Sequence, residues 1–228
     1  MDFDYRGEKI YLRGRKEKRF RELEIMNFIQ KNYSLTNEMV DCGANYGNHT
    51  IYFAKFGNFS KVYSFEPIPQ IFDVLNENIK LNKIEHKVES FNLGVSKKEK
   101  ELKLISKIDE TQGAFWFWYD GEDYVHPRDM GYGVHRKQQL KALKVLSLPL
   151  DKALENKENI DFMKIDVEGM EFEVLCGAKN LIDTNRPLLY IEVCLGQTRN
   201  IKDWADKNKY KIIKNNILHG HHWLLESR

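Results

Sequence analysis

A short loop carries the first residues whose types and spacing suit the binding of a ligand. It reads VDCGANYGNHT, and Asp41, Gly43 and Gly47 in it form the pattern D-x-G-x-x-x-G. Gly43 allows a tight turn beside a ligand, and Gly47 lets the start of the following helix approach that ligand closely. The backbone N–H groups of such a helix start attract an anionic group. The loop therefore predicts a ligand site at the carboxyl end of the preceding strand.

A second carboxylate of this predicted site ends the segment KVYSFE. Glu66 is the last residue of that strand-like run, where a carboxylate can accept hydrogen bonds from both hydroxyls of a ribose. The dinucleotide pattern G-x-G-x-x-G is absent, and Asp41 precedes the first glycine, where it would repel a pyrophosphate. S-adenosylmethionine carries no phosphate, and its ammonium and carboxylate groups suit Asp41 and the helix start. The pattern favours this cofactor and disfavours a dehydrogenase.

Three more acids crowd the end of a later strand, in the segment IDFMKIDVEGMEFEVL. We expect Asp166 to lie beside the donor methyl group and to orient the acceptor or remove its proton, provided that burial and acidic neighbours raise its pKa. Glu168 is a second catalytic candidate, whereas Glu171 suits a helix start, where the dipole favours acids. Glu192 lies in the apolar segment PLLYIEV and is expected to meet a partner at the same cleft or to fix a loop.

The segment over residues 107–138 combines aromatic side chains with scattered glycines and charges. A long irregular stretch of this kind is usually functional, so we predict a lid or substrate loop that folds over the cleft. His135 is a candidate base, because a free imidazole has a pKa of about 6.5. An aromatic cluster that seals a subdomain or joins two copies in a homodimer is an equally good interpretation. The candidate substrate-binding residues of this segment are Trp116, Trp118, Tyr119 and Arg136.

The composition indicates a soluble globular protein. The chain has 228 residues, of which 42% are hydrophobic and 31% charged, and its formal net charge is +2. These values exclude a disordered chain and a protein that coats nucleic acid in the manner of a histone. No apolar run approaches the roughly 20 residues that span a bilayer, so we expect no membrane insertion and a cytoplasmic location. The three cysteines lack C-x-x-C spacing, which argues against a disulfide framework and a thiolate zinc site.

Apolar periodicity predicts strands that alternate with helices along most of the chain. Amphipathic spacing over 15–31 predicts a helix within an N-terminal extension over 1–35, and a later helix is predicted over 170–183. The last two predicted strands, within 210–227, suggest an antiparallel pair. Repeated β-α units with this ending predict an α/β fold with a doubly wound, mostly parallel sheet and helices on both faces. We expect residues 1–228 to form a single domain.

Five segments together resemble the FkbM-type methyltransferase family in order and spacing, over roughly residues 37–195. They are VDCGANYGNHT, SFEP, SLPLDKAL, KIDVEGMEFEVLCGA and IEV. The resemblance implies a class I methyltransferase fold, Rossmann-like with a seven-stranded sheet, and an acceptor hydroxyl on a saccharide or other small molecule. It also implies that Asn92 and Val95 lie near the adenine, while 107–138 has no counterpart in the family. The residues that it assigns to S-adenosylmethionine are Asp41, Gly43, Asn45, Gly47 and Glu66, and we add Asp166.

Two other functions stay open. The chain has neither a D/N-P-P-Y/F motif after the fourth strand nor a Pro-Cys pair, so a hydroxyl oxygen is favoured over a base as the acceptor. An RNA ribose 2′-O-methyltransferase would combine Asp166 with Lys16, Lys207 and Glu226, although nucleic acid is not the expected partner. A catalytically silent protein that binds the cofactor to stabilise a complex is the other alternative.

Two charged clusters receive no predicted function. The basic residues between Arg13 and Arg21 fit the solvated face of a helix better than a phosphate site. His219, His221 and His222 resemble a metal site by composition, but neighbouring side chains on a strand point to opposite faces. We therefore predict that no metal is bound.

Overall fold

The computed structural model describes residues 2–107, 115–119, 140–194, 196–217 and 221–228. Its helices are α1 (Leu23–Asn32), α2 (Asn48–Phe56), α3 (Pro69–Leu81), α4 (Leu150–Ala153), α5 (Glu171–Gly177), α6 (Lys179–Asn185) and α7 (Thr198–Lys207). Its strands are β1 (Asp2–Tyr5), β2 (Glu8–Tyr11), β3 (Glu38–Cys42), β4 (Lys61–Phe65), β5 (Val88–Phe91), β6 (Gly94–Val95), β7 (Lys100–Lys107), β8 (Phe115–Tyr119), β9 (Leu140–Leu148), β10 (Ile160–Ile165), β11 (Leu188–Glu192), β12 (Tyr210–Ile217) and β13 (His222–Ser227). Within this part of the chain, no helix has the length and apolar character needed to cross a membrane.

Seven strands form the main sheet, in the order β12-β13-β11-β10-β3-β4-β5. The strands from β11 to β5 are parallel, whereas β13 runs antiparallel to both β11 and β12. The predicted seven-stranded, mostly parallel sheet with a C-terminal antiparallel hairpin is therefore confirmed. The chain leaves β3 towards β4 and β5 on one side and continues from β10 towards the hairpin on the other. Such a change of direction opens a cleft at the carboxyl ends of the strands, where these sheets bind ligands.

Hydrophobic residues cover both faces of this sheet. On β3, Met39 belongs to an apolar cluster that contains side chains of α1 and α2, whereas Val40 belongs to one with side chains of α5, α6 and α7. Phe162 and Met163 on β10 divide between the two clusters in the same way. This alternation is the two-residue period of a strand that is buried on both faces. The predicted layers of helices on both faces are confirmed, and they hold the strand ends around the cleft.

A second sheet contains four strands in the order β6-β9-β7-β8. Its edge strand β8 pairs antiparallel with β7, with Trp118 opposite Leu104 in the register. Part of the segment over 107–138 therefore extends a sheet instead of forming an irregular loop. The rest of that segment lies outside the described residues, and its action as a lid stays a prediction.

The N-terminal region differs from the predicted helix over 15–31. β1 and β2 form an antiparallel hairpin, residues 12–22 are irregular, and α1 begins only at Leu23. Gly14 and Glu22 both have a positive φ, +85° and +58°, which ordinary helical residues do not adopt. The predicted helix over 170–183 is also interrupted, because α5 ends before Ala178 and α6 starts after it.

Asparagine side chains hold the irregular segment over 12–22 on α2 and α3. The side chain of Asn48 accepts the backbone N–H of Arg21 at 2.8 Å and donates to the backbone oxygen of the same residue at 3.1 Å. These bonds occupy the groups that a helix would use internally, so they override the helical periodicity of this segment. Two further pairs of this kind precede the predicted helix and fix the approach to it: Asn78 with Arg13, and Asn82, just after α3, with Tyr11 at the end of β2.

Candidate active site

A pocket of about 450 Å³ lies at the carboxyl ends of β3, β4, β10 and β11, and we call it the strand-end pocket. Its volume falls within the roughly 300–1,000 Å³ of small-molecule sites. Its wall combines apolar side chains that follow β4 and β5, acids that follow β10 and end β11, and residues of the irregular segment over 12–22. The pocket therefore unites the glycine loop with the acids that the sequence assigned to one site.

Gly43 places the glycine loop directly against the end of β10. Its φ is +75°, and a Cβ here would lie 1.9 Å from the backbone oxygen of Asp166, so only glycine fits. Gly47 has a φ of +91° and faces the side chain of Leu75, so it positions α2 and does not line the pocket. Asn45, between the two glycines, also has a positive φ, +52°, and lines the pocket. The loop thus presents its backbone to any ligand that lies over β3.

Glu66 is buried, lines the pocket and is fixed by two backbone N–H groups. Asn45 donates to its Oε2 and Ile68 to its Oε1, each at 2.9 Å. Burial raises the pKa of Glu66 to about 7 in spite of these two bonds. Each carboxylate oxygen retains a lone pair for another donor. Two hydroxyl donors on one ligand would therefore complete the hydrogen bonding of Glu66 and favour its ionised form.

Lys164 is a buried cation in the wall of the pocket that sequence reasoning missed. Its Nζ donates to the backbone oxygens of Gly43 at 2.7 Å and Cys42 at 3.2 Å, and it lies 3.3 Å from a carboxylate oxygen of both Asp41 and Asp166. Burial acts to lower its pKa, but the two carboxylates outweigh burial and raise that pKa above its usual value. The signal that could have identified Lys164 is its position inside the apolar run FMKI, because an unpaired charge buried there would cost free energy.

Asp41 lies behind the pocket wall. It is fully buried, accepts a hydrogen bond from Oγ1 of Thr50 at 2.7 Å, and faces Lys164. It is absent from the pocket lining, so its predicted contact with the cofactor is replaced by a supporting role. The position of Asp41 at the end of a strand was predicted correctly. Its side chain points to the neighbouring strand β10, because Lys164 on that strand is its partner.

Asp166, Glu168 and Glu192 bring carboxylate oxygens within 4.8 Å of one another in the pocket wall. Burial and then the Asp166 charge raise the pKa of Glu192 to about 10, and a hydrogen bond joins these two side chains. Burial and the same charge raise the pKa of Glu168 to about 8. Burial also opposes the ionisation of Asp166, but Lys164 and Glu192 outweigh it and lower the pKa of Asp166. The raised pKa that Asp166 would need to act as a base is therefore not found, and of these three acids Glu168 has the pKa nearest to neutral pH.

The turn that follows β10 holds Glu168 in an unusual conformation. Glu168 has a φ of +54° and is followed by Gly169 at +102°. A non-glycine residue in this region costs about 1–3 kcal/mol, and such residues cluster at functional sites. The buried Glu171 fixes the turn, because its Oε1 accepts the backbone N–H of Gly169 at 2.8 Å. Glu171 is thus a structural acid at the start of α5.

The spacing of Asp166, Glu168 and Glu192 would also allow a divalent cation. The ammonium of Lys164 already lies 3.3 Å from Asp166, however, and the raised pKa of Glu192 keeps its proton at neutral pH. A cation would have to displace both. The absence of a metal stays a prediction, and Lys164 is the physical reason for it.

A second polar cluster in the pocket wall surrounds Glu22. Its carboxylate accepts the hydroxyl of Tyr190 at 2.8 Å and lies 3.1 Å from Nε2 of His49 and 3.9 Å from Nε2 of His222. Burial opposes ionisation of Glu22, but the two imidazoles and Tyr190 outweigh burial and lower its pKa. Sequence reasoning missed this cluster, because its members lie on four separate parts of the chain and form no local pattern.

Several predicted residues lie elsewhere. Asn92 is exposed and donates its side-chain amide to the backbone oxygen of Glu66 at 2.9 Å, so it supports the loop after β4, whereas Val95 lines the pocket. His222 begins β13 and pairs with Glu192, and both residues line the pocket. Glu226 lies near the other end of β13. The set of residues that an RNA ribose methyltransferase would combine with Asp166 is therefore not assembled. His135 and Arg136 lie outside the described residues, as do the side chains of Trp116, Trp118 and Tyr119 on β8.

The family model for the methyltransferase FkbM domain matches residues 41–212 of this chain. The match begins at the end of β3 and includes the glycine loop, Glu66, Asp166 and Glu192, so it covers most of the strand-end pocket and most of the main sheet. The chain belongs to the FkbM methyltransferase family. The family predicted from the five sequence segments is therefore confirmed, and so is the class I methyltransferase fold.

Individual relatives of this FkbM-family chain agree with the assignment. The chain is 31% identical over 158 residues to methyltransferase sdnD of Sordaria araneosa, over 61% of this chain and 59% of that protein. It matches the solved FkbM methyltransferase of Methylobacillus flagellatus KT with a TM-score of 0.55 and 17% identity, over 86% of this chain and 44% of that one. M. jannaschii TYW2, solved in complex with AdoMet (S-adenosylmethionine), matches with a TM-score of 0.51 and 18% identity, over 98% and 82%. The chain thus spans less than two thirds of the first two proteins.

Proposed function

We propose that this FkbM-family chain transfers a methyl group from S-adenosylmethionine to a hydroxyl oxygen of a small-molecule or saccharide acceptor. The observation that carries the proposal is the presence of two arrangements in one pocket. Gly43 and Glu66 form one end, suited to a ribose-bearing cofactor, and Asp166 and Glu168 form the other, suited to an acceptor proton. Cofactor and acceptor would therefore meet at the end of β10.

S-adenosylmethionine is the cofactor of this methyltransferase family, and the residues of the pocket fit it. Glu66 has free lone pairs for the two ribose hydroxyls, and the apolar side chains of Phe65, Ile68 and Val95 suit the adenine. Gly43 lines the pocket, so its backbone would lie beside the amino-acid end. When bound, the cofactor supplies an electrophilic methyl group on a positively charged sulphur.

The side chains at the acid end position the acceptor and hold its proton. Methyl transfer is an in-line displacement, so orientation and exclusion of water supply most of the acceleration. Lys164 and the hydrogen bond with Glu192 keep Asp166 ionised, so Asp166 accepts a hydrogen bond from the acceptor hydroxyl and orients its oxygen. Glu168, with its pKa raised to about 8, takes the proton as the new bond forms.

We further propose that the segment over 107–138 covers the acceptor. Trp116, Trp118 and Tyr119 would pack on the apolar faces of a sugar, and His135 and Arg136 would bind its polar groups. Replacing Trp116 and Trp118 by alanine should weaken acceptor binding and leave S-adenosylhomocysteine binding intact. Unchanged acceptor affinity in this variant would remove the segment from the acceptor site and favour a subdomain or dimer contact.

The acceptor can be identified with methyl-labelled S-adenosylmethionine and fractionated nucleotide sugars, oligosaccharides and RNA. We expect label in a saccharide or small-molecule fraction, stable to mild alkali as a methyl ether is, and incorporated far more slowly by the Asp166→Asn variant. Label in RNA, with binding that weakens steeply as salt rises, would replace the proposal by ribose methylation. Cofactor binding without label in any fraction would favour a catalytically silent partner protein.

A further inference from the structure

Two arginines of the irregular segment over 12–22 face the strand-end pocket. Arg15 and Arg21 both line it, although their sequence pattern suggested a solvated helix face. Gly14 makes this placement possible, since a Cβ there would lie 2.4 Å from the ring of Tyr46, so the chain passes directly over the glycine loop. The guanidinium of Arg15 lies 5.9 Å from the centre of the same ring.

Arg15 is largely removed from water without a matching acceptor. Its Nε is buried and has no hydrogen-bond partner in the described part of the chain. Burial and then the charge of Arg21 lower the pKa of Arg15, and the opposing charges of Glu17 and Asp166 do not outweigh them. A guanidinium carries five N–H donors and stays charged, so burying it beside a like charge without an acceptor costs free energy. An anion that enters the pocket would remove that cost.

Arg21 brings a second guanidinium to the same corner. Its backbone is fixed by Asn48, the first residue of α2, and its half-exposed side chain lies 3.4 Å from Glu17. The start of α2 adds to the positive potential, since Gly47 precedes it and no side chain caps it. The acids that line the pocket follow β4 and β10, end β11 and include Glu22, whereas Arg15 and Arg21 bring positive charge to its wall.

We propose that Arg15 and Arg21 form a carboxylate-binding subsite of the strand-end pocket. A planar guanidinium binds a carboxylate through two parallel N–H···O bonds, a geometry that lysine cannot provide. The inference rests on the proposed function, because that function brings two ligands with a suitable group into the pocket. They are the amino-acid end of S-adenosylmethionine and an acceptor that is itself a carboxylic acid.

The first arm of the test measures binding to the full chain by calorimetry. S-adenosylhomocysteine carries the amino-acid carboxylate, and 5′-methylthioadenosine is a matched nucleoside without it. If the cofactor supplies the carboxylate, Arg15→Met weakens binding of S-adenosylhomocysteine by about tenfold or more, as loss of a charged hydrogen bond does, and leaves 5′-methylthioadenosine within about twofold. Arg19→Met, an exposed charge removed from the same segment, should change neither.

The second arm tests the acceptor as the source. Malonate, a simple carboxylate probe, is titrated into the protein saturated with S-adenosylhomocysteine. Loss of malonate binding in Arg15→Met, with both nucleosides unaffected, assigns the subsite to the acceptor. If Arg15→Met changes neither S-adenosylhomocysteine nor malonate binding, the proposal is overturned.

Two results separate this inference from misfolding and from the proposed function. Retained binding of 5′-methylthioadenosine shows that the pocket of the Arg15→Met variant is folded. If that variant does not fold, Arg15→Lys replaces it. Lysine keeps the positive charge but lacks the two parallel N–H donors of a guanidinium, so this variant should lose part of the carboxylate binding. A wild-type chain that binds neither nucleoside would overturn the proposed function itself. Wild-type binding with no effect at Arg15 would overturn the subsite alone.

Discussion

The Nζ atom of Lys164 lies 3.3 Å from a carboxylate oxygen of Asp41 and 3.3 Å from one of Asp166. One buried ammonium therefore joins the ends of the neighbouring parallel strands β3 and β10. The same atom binds the backbone oxygen of Gly43 at 2.7 Å, so it also holds the glycine loop. The cofactor end and the acid end of the strand-end pocket are thereby fixed relative to each other.

Lys164→Met should destabilise the protein strongly. Removing the cation leaves the fully buried Asp41 without its counter-charge, and breaking such a pair costs about 3–5 kcal/mol. The free energy of unfolding in urea measures the loss. The matched control is Lys144→Met, because Lys144 is largely exposed and pairs with Glu101, so its loss costs at most about 1 kcal/mol. Equal losses of unfolding free energy in the two variants would show that the buried ion pairs of Lys164 stabilise the protein no more than an exposed pair does.

Gly43→Ala should destabilise the chain more than alanine at another glycine with a similar backbone. Gly7 provides that control, because its φ is +80° and no atom lies within 4 Å of its added Cβ. Gly7→Ala measures the conformational cost alone, about 1–2 kcal/mol. Gly43→Ala adds the collision with the Asp166 backbone, so it should lose more stability and bind S-adenosylhomocysteine weakly. Similar unfolding midpoints for both variants would contradict the close contact.

Asp166→Asn should lower kcat by about two orders of magnitude while binding S-adenosylhomocysteine almost as well as the wild type. The amide cannot act as the anion that orients the acceptor hydroxyl beside Lys164. Steady-state kinetics with the identified acceptor and calorimetry with S-adenosylhomocysteine separate the two effects. Asp183→Asn, at an exposed ion pair with Lys179, is the control that should leave both unchanged. Unchanged turnover in the Asp166 variant would remove this residue from the mechanism.

The rate of methyl transfer should rise with pH through about 8. Burial and the Asp166 charge raise the pKa of Glu168 to about 8, so this side chain is protonated below that pH and becomes a base only above it. We expect kcat of the wild type to increase about tenfold per pH unit below this point and to level off above it. Glu168→Gln should be slow and lack the step, whereas Glu155→Gln, on the surface, should keep it. The same step in the Glu168 variant would mean that another group takes the proton.

The fold could be predicted to a large extent, because local periodicity determines most of its elements. The apolar run PLLYIEV forms β11, and the antiparallel pair predicted within 210–227 forms β12 and β13. The meeting of Gly43, Glu66 and Asp166 in one pocket also followed from the sequence, since the carboxyl ends of parallel strands lie at one edge of a sheet.

The remaining parts of the site depend on contacts between distant segments. The direction of the Asp41 side chain is set by Lys164 on the neighbouring strand, and the lowered pKa of Asp166 has the same origin. Arg15 and Glu22 reach the pocket because residues 12–22 follow a path that tertiary hydrogen bonds determine. The helical spacing over 15–31 expresses only a local preference, which those bonds override.

Each of Asn48, Asn78 and Asn82 offers its partner the same donor and acceptor as a peptide group, and so substitutes for a missing neighbouring strand. Bonds of this type recognise main chain alone. Apart from Gly14, the core residue Phe20 and the clustered Glu22, exposed positions of the segment such as Lys18 and Arg19 are therefore free to exchange side chains while the route of the chain stays the same. Evolution can in this way alter the charge around the entrance, and with it the preferred ligand, without disturbing the sheet beneath.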